Sequence, residues 1–211
     1  MPKEAYMETM RLQRKILGVL CALLAPCCIV FGLLGDNLPL WYCSISATYY
    51  ANSKICMIGL LFATSVFFFS YKGHDWKDRV MSLIQAVSAL GVIMFPCNTP
   101  GIPDTVGLFS LPYATSHVIH CVMASVLFIS FATNIMFLFT LGDKSNAQKA
   151  RRNKVYRICG GVIYAFIVLQ AVSTFIPMPA WFPATLINEA VMLEAYAVAW
   201  LVKAQCWLGD R

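Results

Sequence analysis

Residues 16–34 read ILGVLCALLAPCCIVFGLL, an apolar run without a charged side chain. A run of this length matches the roughly 17 to 25 residues that an α-helix needs to cross a bilayer core. Because lipid offers no hydrogen-bond partners to the backbone, the run is predicted to be a membrane-spanning helix. Arg11, Arg14 and Lys15 precede it, as in a secretory signal. The run is too long for a signal core, so we expect the helix to be retained.

Further apolar runs predict five more helices, at about 53–71, 80–95, 117–141, 158–176 and 184–203. Hydrophobic residues make up 59% of the 211-residue chain and charged residues only 12%, which is unusual for a soluble domain. The predicted fold is therefore all-α: a polytopic membrane protein with six transmembrane helices in one bundle. No run of polar sequence is long enough for a second domain, so residues 1–211 are predicted to form a single domain.

The basic residues are distributed unevenly along the chain. In a six-span arrangement every one of them except Lys54 falls on one side of the membrane. The positive-inside rule makes that side cytoplasmic, with both termini on it. Basic groups so close to the bilayer are expected to contact anionic headgroups, and nothing favours a nucleic-acid partner. The basic segment 142–157 could alternatively bind a cytosolic partner.

The stretch LPLWYCSISATYYANSK, residues 38–54, mixes aromatic and polar side chains between two apolar runs. Such a mixture is typical of an aromatic belt at headgroup depth. It is equally compatible with the floor or lid of a binding site that takes partners from elsewhere in the chain. The candidate substrate-binding residues in it are Ser44, Ser46, Tyr49, Tyr50 and Lys54.

Two carboxylates lie in the last predicted helix, Glu189 and Glu194. Ionisable groups within a span are costly, so they indicate a functional site by default. Glu194 is predicted near the bilayer middle, and Glu189 nearer the outer surface, level with the outer end of the fourth helix. Five residues separate them, so they are expected on different parts of the helix circumference.

His117 and His120 open the fourth predicted helix, and their three-residue spacing places both imidazoles on one face. Together with Glu189, Asp36 or Asp104 they could bind zinc with an open coordination position and an activated water. Alternatively, both histidines lie at headgroup depth and bond to the loop around residues 44–50. The candidate catalytic residues are His117, His120, Glu189 and Glu194; the candidate metal ligands are His117, His120 and Glu189.

The nine cysteines include no CxxC pair, and most lie within apolar runs, where cysteine is usually a small buried hydrophobe. Cys43 and Cys97 both fall in predicted outer loops and could form a disulfide in an oxidising compartment. The outer segment 97–116 is rich in proline and glycine, so it cannot form one regular helix. Its length suggests a lid over the outer surface.

The chain contains several short motifs: Ile45-Ser46-Ala47-Thr48, Gly59, a histidine opening the fourth helix, and Leu193-Glu194-Ala195. They resemble motifs of the DRAM and Frag-type six-span family, which includes autophagy modulators and a Golgi factor that remodels GPI-anchor lipids. Residues 152–160 and 194–203 are more similar to uncharacterised small multi-pass bacterial proteins. The family has an acidic residue where this chain has Ala47, so no role of that carboxylate carries over. The resemblance implies work on membrane lipid without naming a reaction.

These patterns together predict a multi-pass protein, expected in a bacterial plasma membrane, with an outward-facing polar pocket that binds or modifies lipid. If it is an enzyme, metal-assisted hydrolysis or acyl transfer is the expected class. One alternative is a non-catalytic scaffold or regulator. Another is a small proton-coupled transporter or channel that uses Glu194.

Overall fold

The computed structural model describes residues 3–35, 43–73, 75–142, 147–176, 178–179 and 181–208. Long helices dominate this part of the chain, which confirms the all-α prediction. They are α1 Lys3–Gly35, α2 Lys54–Ser70, α3 Trp76–Met94, α4 Tyr113–Thr133, α5 Ala147–Phe175 and α6 Ala184–Lys203. A 3₁₀ turn, Ser46–Tyr50, precedes α2, and α4 continues through a π-helical turn, Asn134–Leu138. The only strands in these ranges are β1 Thr105–Val106 and β2 Leu111–Pro112, an antiparallel pair.

Four helical stretches are long and apolar enough to cross a membrane: Ala5–Gly35, Tyr113–Leu138, Ala147–Phe175 and Ala184–Lys203. Helix α2 is also apolar but has only 17 residues. Helix α3 has 19 residues and is less apolar than α2. The helices thus agree with a membrane protein, with four clear candidates for spans where the sequence predicted six.

Four helices begin earlier than predicted, two of them by more than ten residues. Helix α5 begins at Ala147, so most of the predicted basic loop 142–157 is the first part of that helix. No proline or glycine occurs between Ala147 and Cys159, and alanine, glutamine, lysine and arginine all favour helix. Helix α1 begins at Lys3 rather than near residue 16 for the same reason. An apolar run predicts the part of a helix that lies in lipid. Residues that favour helix let the same helix extend beyond that part.

The six helices form a closed ring. Each helix packs against the next along the chain, and α6 packs against both α5 and α1. Helices α1 and α6 pack closely at Gly18, where an added Cβ would lie 2.8 Å from the Leu201 side chain and 3.0 Å from its backbone nitrogen. A small residue at this position is therefore what permits the contact that closes the ring.

Side-chain contacts define the two ends of the ring. At one end the Nε of Arg14 donates to the Tyr71 hydroxyl (3.3 Å), and Arg11 bonds to Gln205. We call this the basic end. At the other end the Tyr50 hydroxyl donates to the Cys97 carbonyl (3.0 Å). We call this the cavity end.

A buried polar network crosses the middle of the bundle. The Tyr196 hydroxyl donates to Gln85 Oε1 (2.9 Å), and the Gln85 amide donates to the Ser130 carbonyl (3.3 Å). Ser82 and Ser88, which share the stripe of Gln85 on α3, are also buried. The network joins α3, α4 and α6, as expected for polar side chains that face other helices rather than lipid.

An aromatic cluster lies below this network, toward the basic end. Trp200 is fully buried, and its ring centroid lies 4.9 Å from that of Phe139 and 5.2 Å from that of Tyr71. Edge-on contacts of this kind combine apolar burial with favourable ring electrostatics. The cluster ties the last turns of α6 to the ends of α2 and α4.

Candidate functional site

A cavity of about 560 Å³ lies at the cavity end between α4, α5 and α6. Each helix contributes one stripe of side chains at three- or four-residue spacing, which is the spacing of one helix face. The stripes are His117, His120, Cys121, Ala124, Ser125 and Phe128 from α4; Ile167, Gln170, Ala171 and Thr174 from α5; and Thr185, Glu189 and Met192 from α6.

Two segments between the long helices complete the cavity. They are the residues before and within the 3₁₀ turn, Cys43, Ser44, Ser46 and Ala47, and the residues after α3, Cys97 and Asn98. Most polar side chains gather near the helix ends, whereas Ala124, Phe128 and Met192, together with Ser125, line the part farther into the bundle. The cavity therefore has a polar mouth and a mainly apolar interior.

Glu189 joins α6 to the start of the 3₁₀ turn. The Ser46 hydroxyl donates to its Oε1 (3.1 Å) and the Ser46 backbone N–H donates to its Oε2 (3.2 Å). A carboxylate that accepts two hydrogen bonds from one residue is well fixed in orientation. Ser44 has a different role, because its hydroxyl oxygen accepts from the Ala47 backbone N–H (2.8 Å) and so closes the turn.

His120 is almost fully buried, and its Nδ1 lies 2.8 Å from the Phe95 carbonyl oxygen. A carbonyl only accepts, so the proton of a neutral His120 is assigned to Nδ1. Its Nε2 then carries a lone pair. In that form the imidazole can accept a proton or bind a metal through Nε2.

His117 has the opposite hydrogen-bonding pattern. The Asn98 backbone N–H donates to its Nδ1 (3.1 Å), so the proton of a neutral His117 is assigned to Nε2. The two imidazoles thus offer different groups: His120 a base, His117 a donor. Sequence spacing predicted that they share a face, but this difference depends on two backbone groups in the segment after α3.

Four of the predicted site residues do not line the cavity: Tyr49, Tyr50, Lys54 and Glu194. The Lys54 ammonium lies 4.5 Å from the centre of the Tyr49 ring. Burial holds the pKa of Tyr50 above its usual range, so its neutral hydroxyl remains a donor to the Cys97 carbonyl. Tyr50 therefore positions one wall of the cavity from behind.

Glu194 lies on a different face of α6 from Glu189, as the five-residue separation predicted. It is partly buried, and its Oε1 is enclosed without a hydrogen-bond partner among the described residues. The structure thus brings together His117, His120, Glu189, Ser44 and Ser46, and places Glu194 elsewhere.

Among the described residues, no group of three or more histidine, cysteine, aspartate or glutamate side chains is placed to hold a metal ion. Of the third ligands considered, Glu189 lines the cavity, Asp104 does not, and Asp36 lies outside the described residues. Zinc binding stays a prediction.

Cys43 and Cys97, the pair considered for a disulfide, both line the cavity. Burial raises the pKa of the Cys97 thiol to about 12, and the nearby Glu189 carboxylate acts in the same direction. A thiol with so high a pKa remains protonated at neutral pH, and only the thiolate is a strong nucleophile. Cys97 therefore lines the site and does not act as a nucleophile.

Several cavity residues were not selected from the sequence. The Gln170 amide donates to the Thr185 hydroxyl (3.3 Å), and the Asn188 amide donates to Gln170 Oε1 (2.9 Å), so this cluster holds α5 against α6. Cys121 follows His117 by four residues, a spacing that places it on the same face. No sequence signal indicated Asn98, whose backbone N–H donates to Nδ1 of His117.

The hairpin formed by β1 and β2 folds back on α3 instead of covering the cavity. Its Leu108 N–H donates to the Met94 carbonyl (3.4 Å), and Phe109 stacks on Phe95 at 5.5 Å between ring centroids. No residue of the hairpin lines the cavity. The hairpin, which was predicted to be a lid, therefore supports the segment after α3 whose backbone groups bond to both histidines.

Comparisons with protein-family models, with curated proteins and with solved structures found no match for this chain. Function is determined by the residues of the site rather than by the fold.

Proposed function

We propose that this protein spans the membrane six times and binds a lipid in the cavity between α4, α5 and α6. The observation that carries the proposal is the composition of that cavity: a polar mouth containing His117, His120, Glu189 and Ser46 leads to a mainly apolar interior. Its volume of about 560 Å³ falls within the usual range for small-molecule sites. A ligand with a polar headgroup and an apolar chain matches both parts.

The six-span topology is supported by contacts of the two helices that are not clear spans. Tyr71, just after α2, bonds to Arg14 at the basic end, and Tyr50, just before α2, bonds to Cys97 at the cavity end. Helices α2 and α3 therefore run between the same two ends as the other four. The 17 residues of α2 extend over roughly 26 Å at 1.5 Å per residue, close to a hydrocarbon core of about 30 Å.

The proposed orientation places the basic end and both termini in the cytoplasm and the cavity outside. A bacterial plasma membrane is the proposed location, on the resemblance of residues 152–160 and 194–203 to small bacterial multi-pass proteins. The lipid would then enter from the outer leaflet, alongside α5. Only 17% of the most apolar 18-residue stretch of α5 is buried in the bundle.

The chemistry proposed for this lipid is hydrolysis or acyl transfer at an ester. Nε2 of His120 would accept the proton of the attacking water or hydroxyl, and Nε2–H of His117 would hydrogen-bond the carbonyl oxygen that gains charge. The ester C–O bond would then break, and the protonated His120 would give its proton to the leaving alcohol. Ser46 and Glu189 would bind polar atoms of the headgroup. A positioned general base of this kind contributes about 10² to 10⁴ in rate.

The test compares the purified wild-type protein with His120→Gln, using native mass spectrometry for bound lipid and product analysis after incubation with a bacterial lipid extract. We expect both proteins to retain lipid within about twofold, and release of fatty acid or lysolipid to fall by at least about 100-fold in the variant. The same spectra report any bound zinc. Equal turnover by both proteins would reject His120 as the base, and absence of lipid from the wild-type protein would reject the proposal.

A second candidate function rests on Glu194, whose Oε1 is enclosed without a hydrogen-bond partner among the described residues. A carboxylate inside a span can carry a proton or bind a cation. If it does so here, liposomes containing the protein will show a proton flux that Glu194→Gln reduces at least about tenfold. The matched control is Glu189→Gln, which removes a carboxylate from the same helix. Equal flux in wild type and Glu194→Gln would exclude this function.

A further inference from the structure

The cavity between α4, α5 and α6 is lined without a lysine or an arginine among the described residues, and Glu189 is the one acidic side chain among them. The proposed topology places a single basic residue, Lys54, at the cavity end. Its side chain is exposed, and its ammonium lies 4.5 Å from the centre of the Tyr49 ring, outside the cavity. A phosphate in the cavity would therefore find no lysine or arginine among these residues to pair with.

The Glu189 carboxylate makes an anionic headgroup still less favourable. An anion bound beside it would meet like-charge repulsion in addition to the cost of leaving water without a counter-ion. A carboxylate offers about four acceptor positions, which is more than the two hydrogen bonds from Ser46 use. Glu189 can therefore accept a further hydrogen bond from a ligand that has a proton to donate.

The polar mouth of the cavity presents both acceptors and donors. Nε2 of His120 and the Glu189 carboxylate accept, and Nε2–H of His117 donates. The Thr185 hydroxyl accepts from the Gln170 amide (3.3 Å), so its own O–H can donate into the cavity. A ligand hydroxyl both donates and accepts, whereas an ammonium only donates and a dianionic phosphate only accepts. Hydroxyl groups are therefore the headgroup chemistry that matches the whole mouth.

We propose that the lipid bound in this cavity has an uncharged headgroup that carries hydroxyl groups, as an acylglycerol has. This inference rests on the proposed function, because it names the lipid class of the same cavity. The hydroxyls would lie among His117, His120, Glu189 and Thr185, and the apolar chain would lie against Phe128 and the other apolar lining residues. In an acylglycerol the ester joins these two parts of the molecule.

The test measures the affinity of three lipids with the same dodecyl chain for the full-length protein in phosphatidylcholine nanodiscs. They are 1-O-dodecylglycerol, its 3-phosphate and dodecylamine, and none of them has a carboxylic ester to cleave. We expect dodecylglycerol to bind at least about 100-fold more tightly than its phosphate, because an anion buried without a cation is strongly disfavoured. It should bind at least about tenfold more tightly than dodecylamine, whose ammonium leaves the donors of the mouth unmatched. Equal or tighter binding of either charged lipid would overturn the proposal.

Glu189→Gln tests the role of the carboxylate in this selectivity. The variant removes the negative charge at nearly constant shape, so the affinity ratio of dodecylglycerol to its phosphate should fall about tenfold. The matched control is Asp104→Asn, which neutralises an exposed carboxylate at the same end that does not line the cavity. Its ratio should equal that of wild type. An unchanged ratio in Glu189→Gln, or an equal fall in both variants, would overturn the proposal, since the selectivity would then not come from the cavity.

Ala124→Phe separates failure of this inference from failure of the proposed function, because Ala124 lines the cavity. If this variant loses binding that the wild-type protein shows, the cavity is the binding site. A preference of the wild-type protein for the phosphate or the amine would then overturn only the present inference. If none of the three lipids binds saturably, or if Ala124→Phe binds them as wild type does, the lipid cavity itself is rejected and this inference with it.

Discussion

Replacing Ala124 by phenylalanine is expected to remove most of the bound lipid while leaving the protein folded. Ala124 lies on the α4 stripe between His120 and Phe128, and its methyl group lines the cavity. A phenyl ring at this position, which lines the cavity, is expected to occupy the space of the apolar chain. We expect lipid retained after purification to fall at least about tenfold, since the lost contacts equal several buried methylene groups.

The matched control is Val122→Phe. Val122 is on the same helix, two residues away, and 54% exposed. The variant adds the same ring on a face outside the cavity, so retained lipid should match that of wild type. Native mass spectrometry measures the lipid, and thermal unfolding in detergent checks the fold. Equal lipid in wild type and Ala124→Phe would show that the lipid lies elsewhere on the protein.

Breaking the contact between Ser46 and Glu189 should have the largest effect on the stability of the cavity end. Glu189→Ala leaves the Ser46 N–H and hydroxyl without their acceptors in a partly buried setting, which costs about 1 to 3 kcal/mol for each unsatisfied group. Ser46→Ala removes only the hydroxyl, so its effect should be smaller. Thermal unfolding in detergent should therefore rank the proteins wild type, Ser46→Ala, Glu189→Ala.

A double variant tests whether the two residues act as a unit. If they do, Ser46→Ala in the Glu189→Ala background should cost less than in wild type, with a coupling of about 0.5 to 3 kcal/mol. Ser125→Ala is the control, since Ser125 lines the same cavity without bonding to Glu189. Additive losses would indicate that the contact contributes nothing, and the carboxylate would then be available for the ligand alone.

The sequence by itself determined the helices and their general placement. Apolar runs require helical backbone in lipid, so the all-α fold followed from composition and run length. Three-residue spacing placed His117 and His120 on one face, and five-residue spacing separated Glu189 from Glu194. These are local properties of a helix, and the structure retains them. Helix ends were less well predicted, because lysine and arginine continue α5 beyond its apolar part.

Only the tertiary structure decided which side chains share a site. Ser46 and Glu189 are 143 residues apart, and no local pattern links them. The sequence made Tyr50 a candidate substrate-binding residue, but its hydroxyl donates to the Cys97 carbonyl and supports the cavity wall from behind. The opposite protonation of His117 and His120 likewise depends on the Asn98 amide and the Phe95 carbonyl, which packing of α3 against α4 brings to the two rings. Periodicity is a property of neighbours along the chain, whereas these contacts depend on how whole helices pack.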